Sequence, residues 1–298
     1  IMDEKAKFQI VGAGKLREQE LIPEAKGKKL PYFSILILGI IVLGCLLADV
    51  IAGNNPGYLH LMHYSQAPNK EFLFGTDNLG RDIFSCIWHG GRISLFIGIV
   101  ATAISTAIAV IYGAISGVAS DTLDTVMMRL TEVFLSVPAL LIIIFFQAIL
   151  GKPTAFSIAF VIGITSWCSV AKIVRTEVRQ IRKSEYVIVA KGMGAGFFHM
   201  LYWHLAPNFI SAIMFMVVMN IRTAIVAEST LSFMGMGLPI DVISWGSLLS
   251  LSNNALLTRA WWVILIPGLF LITLLICLTN IGNSLRKNIN PKESNMWG

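Results

Sequence analysis

Four ionisable side chains lie inside long apolar stretches of this sequence: Arg129, Glu132, Arg222 and Glu228. An ionised group at membrane depth is costly, and such groups usually face a protein interior or a water-filled path. Two kinds of chemistry therefore suit these residues. They could form ion pairs between helices, or they could contact a solute that crosses the membrane, and the sequence leaves both interpretations open.

Motifs for catalysis and nucleotide binding do not occur in the 298 residues, which contain no HExxH, GxSxG or GxxxxGK[ST] pattern. His60 and His63 lack a third ligand nearby and make a poor metal site. The four cysteines are widely spaced, which favours small buried apolar residues over disulfides or metal ligands. We therefore expect a non-catalytic chain that itself binds no cofactor.

The composition predicts an integral membrane protein. Hydrophobic residues make up 55% of the chain and charged residues 13%, whereas a soluble domain carries roughly 25% charged residues. The net charge of +6 is modest, and excess Lys and Arg in membrane proteins collect on cytoplasmic segments. The basic charge thus indicates topology and not a nucleic-acid partner.

Six apolar segments are long enough to be membrane helices. We predict spans over 32–52, between Arg92 and Asp121, over 126–151 with a kink at Pro138, over 153–171, over 208–234, and between Arg259 and Arg286. The segment 53–92 is expected to be mostly an outer loop. The predicted fold is therefore all-α, with residues 1–31 as an N-terminal tail, 32–291 as the transmembrane domain and 292–298 as a C-terminal tail.

The distribution of Lys and Arg predicts the orientation. Sixteen of these residues lie on one set of connections and tails, and five lie on the other. Because cytoplasmic segments carry the excess, both termini are predicted to be cytoplasmic. On the helix predicted over 172–182, Lys172, Arg175, Arg179 and Arg182 share one face, and we expect this helix to extend the fourth span into the headgroup region.

The connection between the fourth and fifth spans contains the most informative motif. Glu185 to Gly194 reads EYVIVAKGMG, and Pro207-Asn208 follow thirteen residues later. This resembles the EAA loop of ABC importer permeases, in which two short helices joined by a glycine turn dock into the ATPase subunit. The resemblance assigns the coupling role to Glu185, Tyr186, Ala190, Gly194, His204, Pro207 and Asn208, whereas an ordinary helix-turn-helix is the alternative.

A second motif lies in the outer loop. The segments 74–82, FGTDNLGRD, and 91–95, GRISL, resemble the signature of the C-type permease in the dipeptide/oligopeptide/nickel branch, although Cys86 replaces a common arginine. Its marked residues are Gly75, Thr76, Asp77, Gly80, Arg81, Asp82 and Arg92. These charges could pack the outer ends of the helices, or they could contact substrate or a binding protein.

Two later motifs extend the resemblance to roughly residues 72–291. The segment 227–237, AESTLSFMGMG, is followed by Ser244-Trp245-Gly246, and Trp261-Trp262 with Pro267-Gly268 resemble the family's final helix. Several motifs that occur in the order and at the spacing of the family are stronger evidence for the resemblance than any single motif.

The resemblance implies a bacterial inner-membrane complex. Its parts would be this chain, a second related permease, two ATP-binding subunits that hold ATP and Mg²⁺, and an extracytoplasmic substrate-binding protein. Peptides are the expected cargo, with nickel or a metal chelate as the alternative. A secondary transporter or channel would show inverted repeats or interrupted helices, and a membrane enzyme would show a catalytic cluster; neither feature is visible in the sequence.

Overall fold

The computed structural model of the chain describes residues 31–53, 56–57, 61–183, 206–239, 241–251 and 259–289. Within these residues the fold is helical, with one isolated bridge between Thr76 and Asp82. The ten α-helices of the described part are α1 Tyr32–Leu46, α2 Ala48–Ile51, α3 Ile83–Val118, α4 Asp121–Ser136, α5 Ala139–Leu150, α6 Ala155–Thr165, α7 Trp167–Arg182, α8 Ala206–Phe233, α9 Trp245–Ser250 and α10 Trp262–Ile289.

The longest helix, α3, packs against most of the others. Its 36 residues span about 54 Å at 1.5 Å per residue, which exceeds the roughly 30 Å of a bilayer core. It contacts α6 and α7 along one side and α8, α1 and α9 along others. Since α3 touches so many neighbours, it positions both the loop before its start and the turn after its end.

Glycines let α7 approach α3 closely. A Cβ atom on Gly113 would lie 2.6 Å from the Ala171 carbonyl oxygen, and one on Gly117 would lie 2.7 Å from Val178 Cγ1. Val174 also packs here, completely buried. The α3–α7 contact therefore depends on the absence of side chains at these two glycines.

The start of α3 corrects the predicted outer loop. Residues 83–92 are helical and not loop, because the Asp82 carboxylate accepts hydrogen bonds from the backbone N–H groups of Phe84 and Ser85 and so caps the helix. The uncharged run after Arg92 therefore marks only part of a longer helix.

The predicted third span is two helices and not one. The axes of α4 and α5 differ by 86° across the break at Val137-Pro138. Proline lacks the backbone donor and clashes with the preceding turn, so a bend was expected at Pro138, but the observed angle ends the helix. A smaller bend of 44° separates α6 from α7 at Ser166, and the sequence analysis did not anticipate it.

Three described helices are long and apolar enough to cross a membrane singly: Ile83–Val118, Ile213–Phe233 and Trp262–Arg286. Counting each bent pair, α4–α5 and α6–α7, as one span raises the number to five. The apolar α1 has 15 residues, about 23 Å in length, and is shorter than a bilayer core. The all-helical membrane fold is confirmed, whereas the count of six spans stays a prediction.

Candidate functional site

The predicted coupling segment lies largely outside the described residues. This applies to Glu185, Tyr186, Ala190, Gly194 and His204. The structure does place Pro207 and Asn208 in the first turn of α8, where a proline is tolerated because the first backbone N–H groups have no helical partner. On the other side of the segment, α7 ends at Arg182, so the geometry of α7 and α8 fixes where the segment begins and ends.

An ion-pair cluster holds α7 against the start of α4. Arg175 Nε donates to Asp124 Oδ1 at 2.9 Å, and Arg175 NH2 donates to Asp124 Oδ2. Ser116 Oγ on α3 donates to the same carboxylate at 2.5 Å. The Asp124 side chain is only 4% exposed. A two-point arginine–carboxylate pair fixes orientation as well as distance, so α3, α4 and α7 are joined at one point.

Two further arginines of α7 strengthen this inner cluster. Arg179 NH2 lies 3.1 Å from Asp124 Oδ2 and 2.9 Å from Asp121 Oδ1, and Arg182 donates to the carbonyl oxygen of Val118 at 2.8 Å. The sequence analysis placed Arg175, Arg179 and Arg182 on one face of a helix, and in the structure this face contacts the start of α4 and the end of α3. Asp121 and Asp124 lie three residues apart at the start of α4. This acidic pair was the sequence signal that could have indicated the partners of the α7 arginines.

Buried hydrogen bonds hold the outer-loop signature together. Thr76 Oγ1 donates to the His63 carbonyl and accepts from the Gln66 backbone N–H. Trp262 Nε1 donates to the Thr76 carbonyl oxygen at 3.1 Å, which ties the loop to the start of α10. Gly75 has φ +76°, and a Cβ there would meet the Gln66 carbonyl oxygen at 2.5 Å, so this turn requires glycine.

The loop charges pair with one another inside the protein. Arg81 Nε donates to Asp77 Oδ2 at 2.7 Å, and the side chains are 6% and 0% exposed. Asp77 Oδ1 also accepts from the backbone N–H groups of Leu79 and Arg81, around Gly80 with φ +72°. Asp82 caps α3 and accepts from Ser85 Oγ at 2.8 Å. This burial favours the packing interpretation for Asp77, Arg81 and Asp82.

Arg92 caps the C-terminal end of α1. Its Nε donates to the Cys45 carbonyl at 2.5 Å, and its NH2 donates to the Leu46 carbonyl and to Asp49 Oδ2. His89 Nε2 lies 3.1 Å from Asp49 Oδ1. The last carbonyl groups of a helix have no partner within it, and Arg92 supplies donors for them, so this residue joins α3 to α1.

The carboxylate of Glu228 on α8 is completely buried. It accepts hydrogen bonds from Ser244 Oγ at 2.6 Å and Ser232 Oγ at 2.9 Å, with Ser94 and Ser229 hydroxyls at 3.4 and 3.5 Å. Among the described residues no cationic side chain pairs with it. Ser244 also caps α9, so Glu228 connects α8 to the short outer helix and to α3.

The other intramembrane charges differ from the expected inter-helix pairs. Arg129 NH1 lies 2.9 Å from Glu132 Oε2, but both residues belong to α4, and their side chains are 76% and 48% exposed. Arg222 has no carboxylate partner in the described part of the chain, and its buried Nε has no acceptor there. The structure therefore does not bring Arg222 and Glu228 together.

The cysteines are free thiols, and all four are buried, as the spacing predicted: Cys45, Cys86, Cys168 and Cys277. His60 lies outside the described residues, and within the described ones no group of three or more His, Cys, Asp or Glu side chains has metal-binding geometry.

Comparison with known proteins settles the family. The model for the binding-protein-dependent transport system inner membrane component matches residues 109–294. The chain belongs to this family. The family match covers the inner arginine cluster on α7, the Glu228 motif and the whole predicted coupling segment.

Two relatives of this binding-protein-dependent permease come from Bacillus subtilis (strain 168). The chain is 34% identical over 267 residues to the oligopeptide transport system permease protein, covering 90% of this chain and 87% of the relative. It is 33% identical over 267 residues to the dipeptide transport system permease protein, covering 90% and 83%. Both alignments extend well beyond the family match toward the N-terminus of this permease.

Proposed function

We propose that this permease forms one half of the path through an ATP-driven importer of peptides. The observation that carries the proposal is the 34% identity, over nine-tenths of the chain, to a protein named as an oligopeptide permease. A relative named as a dipeptide permease aligns over the same share of the chain. Since both are named for peptides, peptide is the preferred cargo over nickel.

The other subunits of the proposed complex supply nucleotide binding, the second half of the path and peptide delivery. ATP and Mg²⁺ bind to two ATP-binding subunits, a second homologous permease forms the other half of the path, and an extracytoplasmic binding protein delivers the peptide. This chain acts as a non-catalytic subunit in the bacterial inner membrane with both termini in the cytoplasm. The excess of Lys and Arg on the predicted inner segments supports this orientation.

The segment from Glu185 to Asn208 couples ATP hydrolysis to transport in this proposal. Closure of the ATPase subunits moves the segment, and α7 and α8, which flank it, carry the movement into the membrane. The arginine–aspartate cluster supports this role because it makes the end of α7 rigid against α3 and α4. A rigid connection transmits a displacement that a loose one would absorb.

Measuring ATP hydrolysis by the assembled complex tests the function. The permease pair, its ATP-binding subunits and its binding protein are placed in lipid nanodiscs, and the binding protein is loaded with short peptides or with nickel. Stimulation by peptide-loaded binding protein alone is expected. Stimulation by nickel alone would overturn the peptide assignment, and failure to assemble with any ATP-binding subunit would overturn the proposed mechanism.

Two substitutions test the coupling segment within the same complex. Gly194→Pro removes the turn, and Glu185→Lys reverses a charge, so both should leave ATP hydrolysis running while peptide uptake falls. Lys183→Gln, on the last turn before the segment, is the matched control and should leave both rates unchanged. Normal uptake in the first two variants would refute the coupling role.

A further inference from the structure

A cavity of about 300 Å³ lies between α8 and α10. Arg222 borders it from α8, and the α10 wall consists of Ile272, Leu275, Ile276, Thr279 and Asn280. Ile272 and Ile276 are also exposed at the outer surface of α10. The cavity thus opens at the surface of this chain.

Arg222 lies near the middle of its helix. It follows Ala206 by sixteen residues and precedes Phe233 by eleven, distances of about 24 and 17 Å along the axis. The hydrocarbon core of a bilayer is roughly 30 Å thick, so the headgroups begin about 15 Å from its centre. Arg222 is therefore placed at the depth of the hydrocarbon, and headgroup phosphates are poor candidates for its counter-charge.

The guanidinium of Arg222 is not neutralised by the described part of the chain. Its Nε atom is buried without a hydrogen-bond acceptor, and no described Asp or Glu oxygen lies within 4.0 Å. Glu228, on the same helix, is already bound by serine hydroxyls. An arginine at this depth usually faces a protein interior or a water-filled cavity and marks a functional site, and an anionic ligand is one partner that would neutralise it.

The polar groups of the opposite wall are partly engaged already. Thr279 Oγ1 donates to the Leu275 carbonyl at 2.6 Å, and Asn280 Nδ2 donates to Ser34 Oγ on α1 at 3.2 Å. The remaining wall is aliphatic. Arg222 therefore provides the only full charge in the described lining of the cavity, next to a surface that accepts apolar groups of varied shape.

We propose that Arg222 binds the C-terminal carboxylate of the peptide during its passage. This inference rests on the proposed function and adds a specific contact to it. Every linear peptide has this carboxylate whatever its side chains, and the planar guanidinium matches its two oxygens with parallel hydrogen bonds. The aliphatic wall formed by Ile272, Leu275 and Ile276 accommodates different side chains, so one arginine serves peptides of many sequences.

Transport of one peptide in two forms tests the proposal. The complex in vesicles imports either a tripeptide with a free C-terminal carboxylate or its C-terminal amide, each supplied on fully loaded binding protein so that the preference of the binding protein is removed. Initial rates are measured for the wild-type chain, Arg222→Gln and Arg222→Lys. Thr223→Ala, at the exposed neighbouring position, is the control variant and should behave as wild type.

The expected result is a loss of discrimination. Wild type should import the free acid about tenfold faster than the amide, which corresponds to about 1.4 kcal/mol. Arg222→Gln should slow the acid about tenfold and bring the two rates together, and Arg222→Lys should retain part of the preference because it keeps the charge without the planar fork. An equal loss for acid and amide would overturn the proposal and indicate contact with a carboxylate of the second permease.

A crosslinking measurement keeps the proposal testable if Arg222→Gln fails to assemble. A peptide with a photoreactive residue next to its C-terminus, trapped during ATP-driven import by the wild-type complex, should crosslink to residues 272–280 of α10. Crosslinks confined to other helices would contradict the proposal. If the wild-type complex imports neither peptide form, the proposed function fails instead, and this outcome is distinct from import without discrimination.

Discussion

Replacing Asp124 with asparagine should destabilise the contact between α3, α4 and α7. The carboxylate of Asp124 is bound by Arg175 at both oxygens and by Arg179 and Ser116. Asparagine keeps the size of the side chain but removes the charge and one acceptor oxygen. Arg175 then loses its two-point contact, and α7 loses its main polar attachment to α4.

The size of the effect follows from the burial of the pair. Removing one partner of a buried ion pair costs about 3–5 kcal/mol because it leaves an uncompensated charge. Asp124 is buried, but the Arg175 side chain is 26% exposed and can regain some water. We therefore expect a loss of about 2–3 kcal/mol in the free energy of unfolding, somewhat less than for a fully buried pair.

The assay is thermal unfolding of the purified complex at a fixed heating rate, since membrane complexes often unfold irreversibly. Asp124→Asn should lower the melting temperature by roughly 5–10 °C. Arg175→Gln and the double variant complete a cycle, in which the double variant should lose less in melting temperature than the two single variants together. Asp121→Asn is the matched control: its side chain is 99% exposed, and its pair with Arg179 should contribute nothing measurable.

Two results would refute this reasoning. One is an Asp124→Asn complex that melts at the same temperature as its Asp121→Asn counterpart. The other is a double variant whose loss equals the sum of the single losses, because additive effects mean that Asp124 and Arg175 do not interact. Either result would remove the support that the cluster gives to the coupling role of α7.

Three further substitutions test other parts of the fold by melting temperature and transport. Asp77→Asn breaks the buried pair with Arg81 and should lower the melting temperature while peptide preference is kept; altered preference at unchanged stability would favour direct substrate contact. Gly113→Leu should separate α3 from α7, since even a Cβ would lie 2.8 Å from Val174 Cβ, and a wild-type melting temperature would contradict the close contact. Glu228→Ala leaves buried serine hydroxyls without their acceptor, at about 1–3 kcal/mol each; unchanged melting would show that these bonds are weak.

Hydrophobic periodicity and charge spacing predicted most of the helices. The fifth span was expected over 208–234, and α8 covers Ala206–Phe233. The outer start of α3 was missed because the uncharged run was taken as the whole helix, although Asp82 lies at the N-cap position. A membrane-span pattern reports the apolar length, whereas a helix extending into water is recognised by its cap.

The bend at Val137-Pro138 shows a second limit of sequence patterns. Proline marks where a helix is interrupted, but the 86° angle between α4 and α5 depends on how each half packs. The exposed Arg129–Glu132 pair on α4 also differs from the expected pairing between helices. Residues three apart face each other on one helix, so an in-helix pair was the simpler expectation for these two charges.

Long-range polar partners were the least predictable part of the candidate site. Asp124 and Arg175 are 51 residues apart, and Glu228 meets Ser94 from 134 residues away. Neither contact leaves a local spacing signal, because tertiary packing alone brings the residues together. By contrast, the outer-loop turns were recognisable from Gly75 and Gly80, since both adopt positive φ.

Uptake of a labelled peptide into sealed vesicles is the measurement that decides the function most directly. The vesicles contain this chain with its second permease and ATP-binding subunits, peptide-loaded binding protein is added on one side, and ATP on the other. Peptide should accumulate only when ATP, binding protein and this chain are all present. Accumulation without ATP or without the binding protein would contradict an ATP-driven, binding-protein-dependent peptide importer.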